Sequence, residues 1–122
     1  MKSLIATSIL LLSLLACITA NFFFINHVTD HMEKMIQSLP TVDSPSCVEA
    51  SRNIRDYWEQ RTDWIGLSVG YNIIDRVCEQ SALLASCAEA QDLYGYHSAR
   101  TLLLDAIGDV RRAERFSIGN LL

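Results

Sequence analysis

Apolar residues occupy the chain in two ways, first as one unbroken block and then as a repeating stripe. Residues 4–25 carry no charge, whereas the residues after them hold all fourteen acidic groups and every basic side chain except Lys2. A helix of about 22 residues, rising about 1.5 Å per residue, is roughly 33 Å long and matches a bilayer core of about 30 Å. The pattern predicts a signal anchor over residues 1–25 and a separate domain over residues 26–122.

Two other interpretations of the N-terminus stay open within the stretch LLACITANFFF. Cys17 follows the small residue Ala16, as the lipidated cysteine of a lipoprotein does, and Ala20 is a candidate end for a cleaved secretory signal. The apolar region of a cleaved signal normally runs for only about 7 to 15 residues. Here the apolar block continues through NFFFI, so its length favours a membrane span that is retained.

The charges that flank the block predict its orientation. Lys2 and the terminal amine precede it, while Asp30, Glu33 and Lys34 follow. Positive charge favours the cytoplasmic side of a membrane. We therefore expect a single-pass protein of the cell membrane, with a cytoplasmic N-terminus and an extracytoplasmic C-terminal domain.

Beyond the block, apolar residues recur at spacings of three and four, the pattern of amphipathic helices. The first such segment extends the anchor as far as Pro40, and Ser46 with Glu49 has the spacing of a capping box that opens the second. Asn72 is the expected cap of the third segment, and the fourth covers about residues 97–114 after a break at residues 92–95. The apolar positions of these segments are Val28, Met32, Met35, Ile36, Leu39, Val48, Ile54, Trp58, Ile65, Ile73, Ile74, Val77, Leu84, Ala88, Ala99, Leu102, Leu103, Ala106, Val110 and Ala113.

Strand-like alternation is absent from the sequence, so the predicted fold class is all-α. The short connections favour antiparallel neighbours. We expect an N-terminal transmembrane helix followed by a small antiparallel helical bundle.

The net charge and the motifs of the sequence argue against nucleic-acid binding and against enzymatic activity. The net charge of −4 disfavours binding to nucleic acid, because an acidic domain repels phosphates. Serine is nowhere found in a nucleophile motif that His97 would activate. Carboxylates at residues 56, 59 and 63 alternate with arginines, which predicts ion pairs within one helix. The chain is therefore not expected to be an enzyme.

Two histidines near the end of the apolar block are candidate metal ligands. His27 and His31 lie four residues apart on one helix face, with Asp30 and Glu33 close by. A structural metal site needs further ligands from a second element, and the sequence pattern supplies none. No metal or cofactor is predicted.

Two tryptophans and the C-terminus form the predicted interaction surface. Trp58 and Trp64 are six residues apart and point to different helix faces, so one is expected in the core and the other at an interface. The apolar ending RFSIGNLL is expected to pack on the bundle or the membrane. The candidate residues for contact with an unknown protein partner are Trp58, Trp64, Phe116 and Asn120.

An oxidising outer compartment permits a disulfide bond. Cys78 and Cys87 are about 13 Å apart on one helix, too far for a bond. In an antiparallel hairpin that turns near residues 69–70, residue i faces about residue 139 − i, which makes Cys87 the nearer partner for Cys47. A Cys47–Cys87 bond is thus the predicted pairing, and three reduced, buried cysteines are the alternative.

Three motifs, in this order and spacing, resemble an uncharacterised bacterial family. They are the opening MKSLIATSILLLSLL, the paired tryptophans of YWEQRTDWIGL before IIDRV, and the ending AERFSIGNLL. The chain is similar to the family named domain of unknown function 4363, short proteins of Gram-positive bacteria. The resemblance implies one N-terminal span and a helical outer domain but no activity. Tyr71 stands where family members often have a histidine.

The predicted function is accordingly a structural or protein-interaction role for a membrane-anchored extracytoplasmic domain. The alternative is a ligand- or metal-binding lipoprotein that is lipidated at Cys17.

Overall fold

The computed structural model describes the backbone of residues 1–121 and the side chains of residues 1–116. Within these bounds the chain forms five helices and no strand. They are α1 (Lys2–Gln37), α2 (Ser46–Glu59), α3 (Thr62–Ile65), α4 (Tyr71–Glu89) and α5 (Leu93–Leu121). The all-α fold predicted from the apolar spacing is confirmed.

Helix α1 is continuous but has two different halves. Every residue up to Cys17 is exposed, whereas Ile25, Val28, Met32 and Ile36 are fully buried in the bundle core. The helix is long and apolar enough to cross a membrane. Ile25, the last residue of the predicted anchor, thus belongs to the core of the domain, and the helix runs from one region into the other without a break.

The second half of α1 packs against α2 and α5, and α4 packs against the same two helices, which completes an antiparallel bundle. Trp58 Nε1 on α2 donates to the carbonyl oxygen of Ile74 at 3.4 Å, and Arg52 near the start of α2 pairs with Glu89 at the end of α4. Arg76 on α4 bonds Asp105 on α5 at 2.9 Å. These pairs define antiparallel neighbours, as the short connections predicted.

The core contains most of the apolar stripe that the sequence predicts. Its largest fully buried side chains are Trp58, Ile25, Met32, Ile36, Ile54, Ile65, Leu84, Leu103, Ile107, Val28, Val77 and Val110. Met35, Leu39, Val48, Ile73 and Ala113 are only partly buried, at the rim of this core. Leu102 is 39% exposed, so its predicted place in the core is wrong.

Both predicted helix caps are wrong. Pro45 precedes α2 with helical backbone angles (φ −60°, ψ −25°), so Ser46 lies inside the helix and makes no cap bond. A cap residue needs non-helical backbone angles. Gly70, not Asn72, precedes α4, and its ψ of 145° is extended.

The predicted second helix is interrupted before Ile65. Arg61 Nη1 donates to the carbonyl oxygen of Tyr57 at 2.8 Å, and its guanidinium carbon lies 3.7 Å from the centre of the Tyr57 ring. Basic side chains often bond the last carbonyls of a helix in this way. α2 therefore ends at Glu59, and α3 forms a separate turn that still buries Ile65.

The α4–α5 connection is shorter than the sequence predicts. Asp92 N donates to the carbonyl oxygen of Cys87 at 2.9 Å and Gln91 N to that of Ala88 at 3.2 Å, which is the Schellman pattern. Gln91 takes the left-handed position with φ 53°. Asp92 Oδ1 then accepts from Gly95 N at 3.1 Å and caps α5, which begins four residues before the predicted His97.

Candidate functional site

One end of the bundle surrounds the point where α1 emerges. We call this the anchor end and define it as residues 21–24 of α1 together with residues 62–71. Asn21 Nδ2 donates to Ser68 Oγ at 2.8 Å. Ser68 is flanked by two buried residues: Ile65, three residues earlier, is 0% exposed, and Val69, the next residue, is 2% exposed. The turn after α3 is thus fastened both to α1 and to the core.

The two tryptophans have different environments. Trp58 is fully buried, so it is not part of the interaction surface for which it was a candidate. Trp64 is 65% exposed at the anchor end. The expectation that one tryptophan fills the core and the other lies at the surface is confirmed, because α3 rotates Trp64 away from the stripe that Ile65 continues.

Two further large side chains project at the anchor end. Leu67 is 75% and Tyr71 is 72% exposed. A β-carbon added to Gly66 would lie 3.5 Å from the Tyr71 ring, so this ring lies over the turn. Neither residue was predicted to lie at the interaction surface, although an apolar leucine between two glycines in IGLSVG is a signal that could have indicated it.

Helix α5 runs toward the anchor end along α1. Arg111 pairs with Asp30 and with Glu33 of α1, the latter at 3.3 Å, whereas Tyr96, near the start of α5, bonds Pro40 beyond the end of α1. Phe116 is 70% exposed. The side chains of Ile118, Asn120 and Leu121, and all of Leu122, lie outside the described residues, so the predicted packing of the tail stays a prediction.

The charged residues pair mainly between helices. Arg52 contacts Glu89 on α4, and Arg61 lies on the Tyr57 ring. Arg55 contacts Asp56, its neighbour in sequence, at 3.6 Å. The predicted ion pairs four residues apart within α2 do not form. Arg52 instead pairs with a carboxylate of another helix, whereas Arg55 and Arg61 contact nearby residues of their own segment.

The three histidines lie in two places. His27 and His31 stack with ring centres 6.4 Å apart, and His31 lies 4.5 Å from the Tyr57 ring. His97 lies on α5, a different helix, and its ring contacts that of Tyr96. Within the described residues, no group of three or more His, Cys, Asp or Glu side chains is arranged to hold a metal ion.

The end of the bundle far from the anchor has a shallow cavity of about 210 Å³. Tyr96 lines it and donates to the carbonyl oxygen of Pro40 at 2.9 Å. Burial raises the pKa of Tyr96 above its ordinary value, and a hydrogen bond with the Cys47 thiol raises this pKa further. The cavity is bordered by Leu39, Pro40, Thr41, Val42, Asp43, Leu93, Tyr96, His97 and Arg100.

The four cysteines are free thiols in the structure. Cys47 neighbours Tyr96, and the Cys87 sulfur lies 2.7 Å from where a β-carbon on Gly95 would be. Cys78 instead neighbours Trp58. Cys47 and Cys87 therefore flank the same turn of α5, and the bond between them stays a prediction. Burial raises the pKa of the Cys78 and Cys87 thiols.

Comparison with protein-family models, with curated proteins and with solved structures found no match to this chain. The resemblance to the bacterial family named above thus remains a prediction.

Proposed function

We propose that this chain is a single-pass membrane protein whose helical domain lies outside the cytoplasm and has a structural or protein-interaction role. The observation that carries the proposal is the division of α1 into an exposed apolar half and a half that is buried in the bundle. Exposed apolar side chains over five helical turns are costly in water and favourable in lipid. A continuous helix would hold the domain at a fixed distance from the bilayer.

The orientation in the proposal rests on charge. Lys2 is the only charged side chain before the span, and the acidic domain follows it. The positive-inside tendency favours a cytoplasmic N-terminus.

The proposal includes no catalytic role. One serine does match the Gly-x-Ser-x-Gly pattern of a nucleophile motif, Ser68 in GLSVG at residues 66–70, which corrects the sequence-based expectation. These residues connect helices α3 and α4, whereas the motif needs a strand-to-helix turn to expose its serine. Ser68 bonds Asn21 at the anchor end, and His97 borders the cavity at the far end of the bundle.

Extraction and mass determine whether the anchor is retained. We expect the native protein to stay in the membrane pellet after alkaline carbonate washing and to have the intact mass of residues 1–122, with or without the initiator methionine. A chain that starts at Cys17 with an added diacylglycerol would support the lipoprotein instead. A soluble chain that starts at Asn21 would contradict the anchor.

Topology is tested with two matched cysteine substitutions at exposed serines. Ser98→Cys lies on α5 near the end of the bundle far from the anchor, and Ser3→Cys precedes the span. A maleimide that does not cross membranes should label S98C in intact cells and S3C only after permeabilisation. The reverse pattern would contradict an extracytoplasmic domain.

The interaction role is tested by photo-crosslinking from Tyr94, which is 86% exposed near the start of α5. A photoreactive residue there should give one discrete crosslinked product in native membranes. A photoreactive residue in place of the buried Ile54 is the matched control and should give none. Absence of any product from position 94 and from the exposed position 83 would argue against a partner on this part of the domain.

A further inference from the structure

We propose that the anchor end of the bundle is a membrane-binding surface, in which Trp64, Leu67 and Tyr71 insert into the interfacial layer of the bilayer that α1 crosses. This inference rests on the proposed membrane anchoring and adds a second contact with lipid. The domain would then lie directly on the membrane, held by α1 and by a turn more than 40 residues away in sequence.

The three side chains are held outward by their neighbours. Ile65 and Val69 are buried on the inner side of the same turn, which leaves Trp64 and Leu67 on its outer side. Tyr71 follows in the first turn of α4, with its ring against Gly66. Folding alone does not require these large side chains to be exposed, since none of the three contributes to the core.

The hydrogen bond between the turn and α1 determines how deep the turn lies relative to the bilayer. Asn21, which bonds Ser68, lies about 26 Å along the helix from Leu4, the first residue of the apolar block. A hydrocarbon core of about 30 Å that begins near Leu4 therefore ends within about 5 Å of Asn21. Ser68 and the residues beside it are thus at the level where hydrocarbon gives way to headgroups.

The chemistry of the three side chains suits that level. Tryptophan and tyrosine combine an apolar ring with one polar group and are enriched where membrane meets water. Leucine adds apolar surface that gains by leaving water. Three such residues on one end of a small domain form a patch of the kind that marks a contact surface.

Charge indicates which lipids the surface accepts. Asp63 and Glu59 are exposed beside Trp64, and the Arg61 guanidinium lies on the Tyr57 ring. This local balance gives no attraction to anionic headgroups. Insertion is therefore apolar, and a zwitterionic bilayer is sufficient.

Tryptophan fluorescence of the full-length protein tests the contact. The protein is reconstituted in phosphatidylcholine vesicles, with or without bromine on the lipid acyl chains, because bromine quenches tryptophan at short range. We expect Trp64 to be quenched and the buried Trp58 to serve as an unquenched internal reference. In Trp64→Phe the bromine-dependent loss of emission should disappear.

A matched control places a tryptophan at the far end of the domain. Tyr94 lies near the start of α5, at the end of the bundle far from the anchor end, and it is 86% exposed. The part of α1 that separates these two ends, from Asn21 to Gln37, is about 24 Å long. Tyr94→Trp in the Trp64→Phe background should show no quenching. Leu67→Ser changes an exposed side chain and should weaken the quenching of Trp64 without altering the melting temperature.

Failure of the surface contact and failure of the membrane anchor give different results in this experiment. If the protein stays with the vesicles after alkaline washing but Trp64 is quenched no more than the tryptophan of Tyr94→Trp, the surface contact is overturned and the anchor stands. If the protein separates from the vesicles, both proposals are overturned.

Discussion

Tyr96 donates its phenolic hydrogen to the carbonyl oxygen of Pro40 at 2.9 Å, across 56 residues of sequence. The bond joins the first turn of α5 to the connector between α1 and α2. The Tyr96 side chain is almost fully buried, so the bond is partly shielded from water.

We expect Tyr96→Phe to lower the free energy of unfolding by about 1 kcal/mol at neutral pH, since it removes a partly buried hydrogen bond and leaves the Pro40 carbonyl without it. Chemical denaturation in detergent micelles measures this change. Tyr94→Phe is the matched control, because Tyr94 is exposed, and it should leave stability unchanged.

Tyr96→Phe should also change how the free energy of unfolding depends on pH in the alkaline range. Burial raises the pKa of Tyr96 in the folded state above its ordinary value of 10.0, so the fold favours the neutral phenol. This contribution to stability is fully present below pH 10 and is lost as the pH rises further. Wild type should therefore lose stability above pH 10 more steeply than Tyr96→Phe. The other groups with a raised pKa, Tyr57, Cys78 and Cys87, remain in both proteins, so a difference between the two proteins must come from Tyr96. If the free energy of unfolding falls equally with pH in both, Tyr96 is not the origin of the pH dependence.

Gln91→Gly should stabilise the protein by about 1 kcal/mol. Gln91 ends α4 with a φ of 53°, which costs a residue with a side chain about 1 to 2 kcal/mol of steric strain that glycine avoids, and this gain exceeds the backbone entropy that glycine adds to the unfolded state. Gln60→Gly is the matched control. Gln60 ends α2 with a φ of −67°, where glycine gives no relief and adds backbone entropy to the unfolded state. Thermal unfolding by circular dichroism should give opposite shifts, and equal shifts would contradict the strain at Gln91.

Two N-terminal truncations should show which half of α1 the domain needs in order to fold. A chain that begins at Asn21 keeps the bond to Ser68 and all the buried residues of α1, so it should unfold cooperatively. A chain that begins at Pro40 loses five buried positions, Ile25, Val28, Thr29, Met32 and Ile36. Each large apolar side chain contributes about 1.5 to 3 kcal/mol, which together approaches the whole stability of a typical domain. A cooperative melt of the shorter chain would contradict the role of α1 in the core.

The predicted Cys47–Cys87 bond is tested by peptide mapping under non-reducing conditions. In an oxidising compartment it would close a loop of about 40 residues and stabilise the fold by about 4 kcal/mol if unstrained. Reduced thiols at all positions would favour the alternative of small buried residues. A Cys47–Cys78 link would contradict the helix register, because Cys78 lies beside Trp58, about three turns along α2 from Cys47.

The sequence alone determined the elements whose signal is local and repeated. A charge-free block over residues 4–25 and apolar spacings of three and four are properties of the chain itself, and they correctly predicted the helical class, the long N-terminal helix and most core positions. The exposure of one tryptophan and the burial of the other were also predicted from their spacing on one helix, although the physical reason is different, because α2 ends at Glu59 and Trp64 lies on the separate helix α3.

Only the tertiary structure decided the features that depend on precise backbone angles or on distant partners. The predicted caps at Ser46 and Asn72 were wrong because each helix starts one or two residues earlier than the sequence predicts. The exact start depends on the backbone angles of those residues, and sequence spacing does not resolve such a small difference. Arg111 meets Asp30 across 81 residues, and Asn21 meets Ser68 across 47. Such contacts form only once packing of the apolar stripes has set the register of the helices, and that packing is what brings Trp64, Leu67 and Tyr71 to the end of the bundle where α1 emerges.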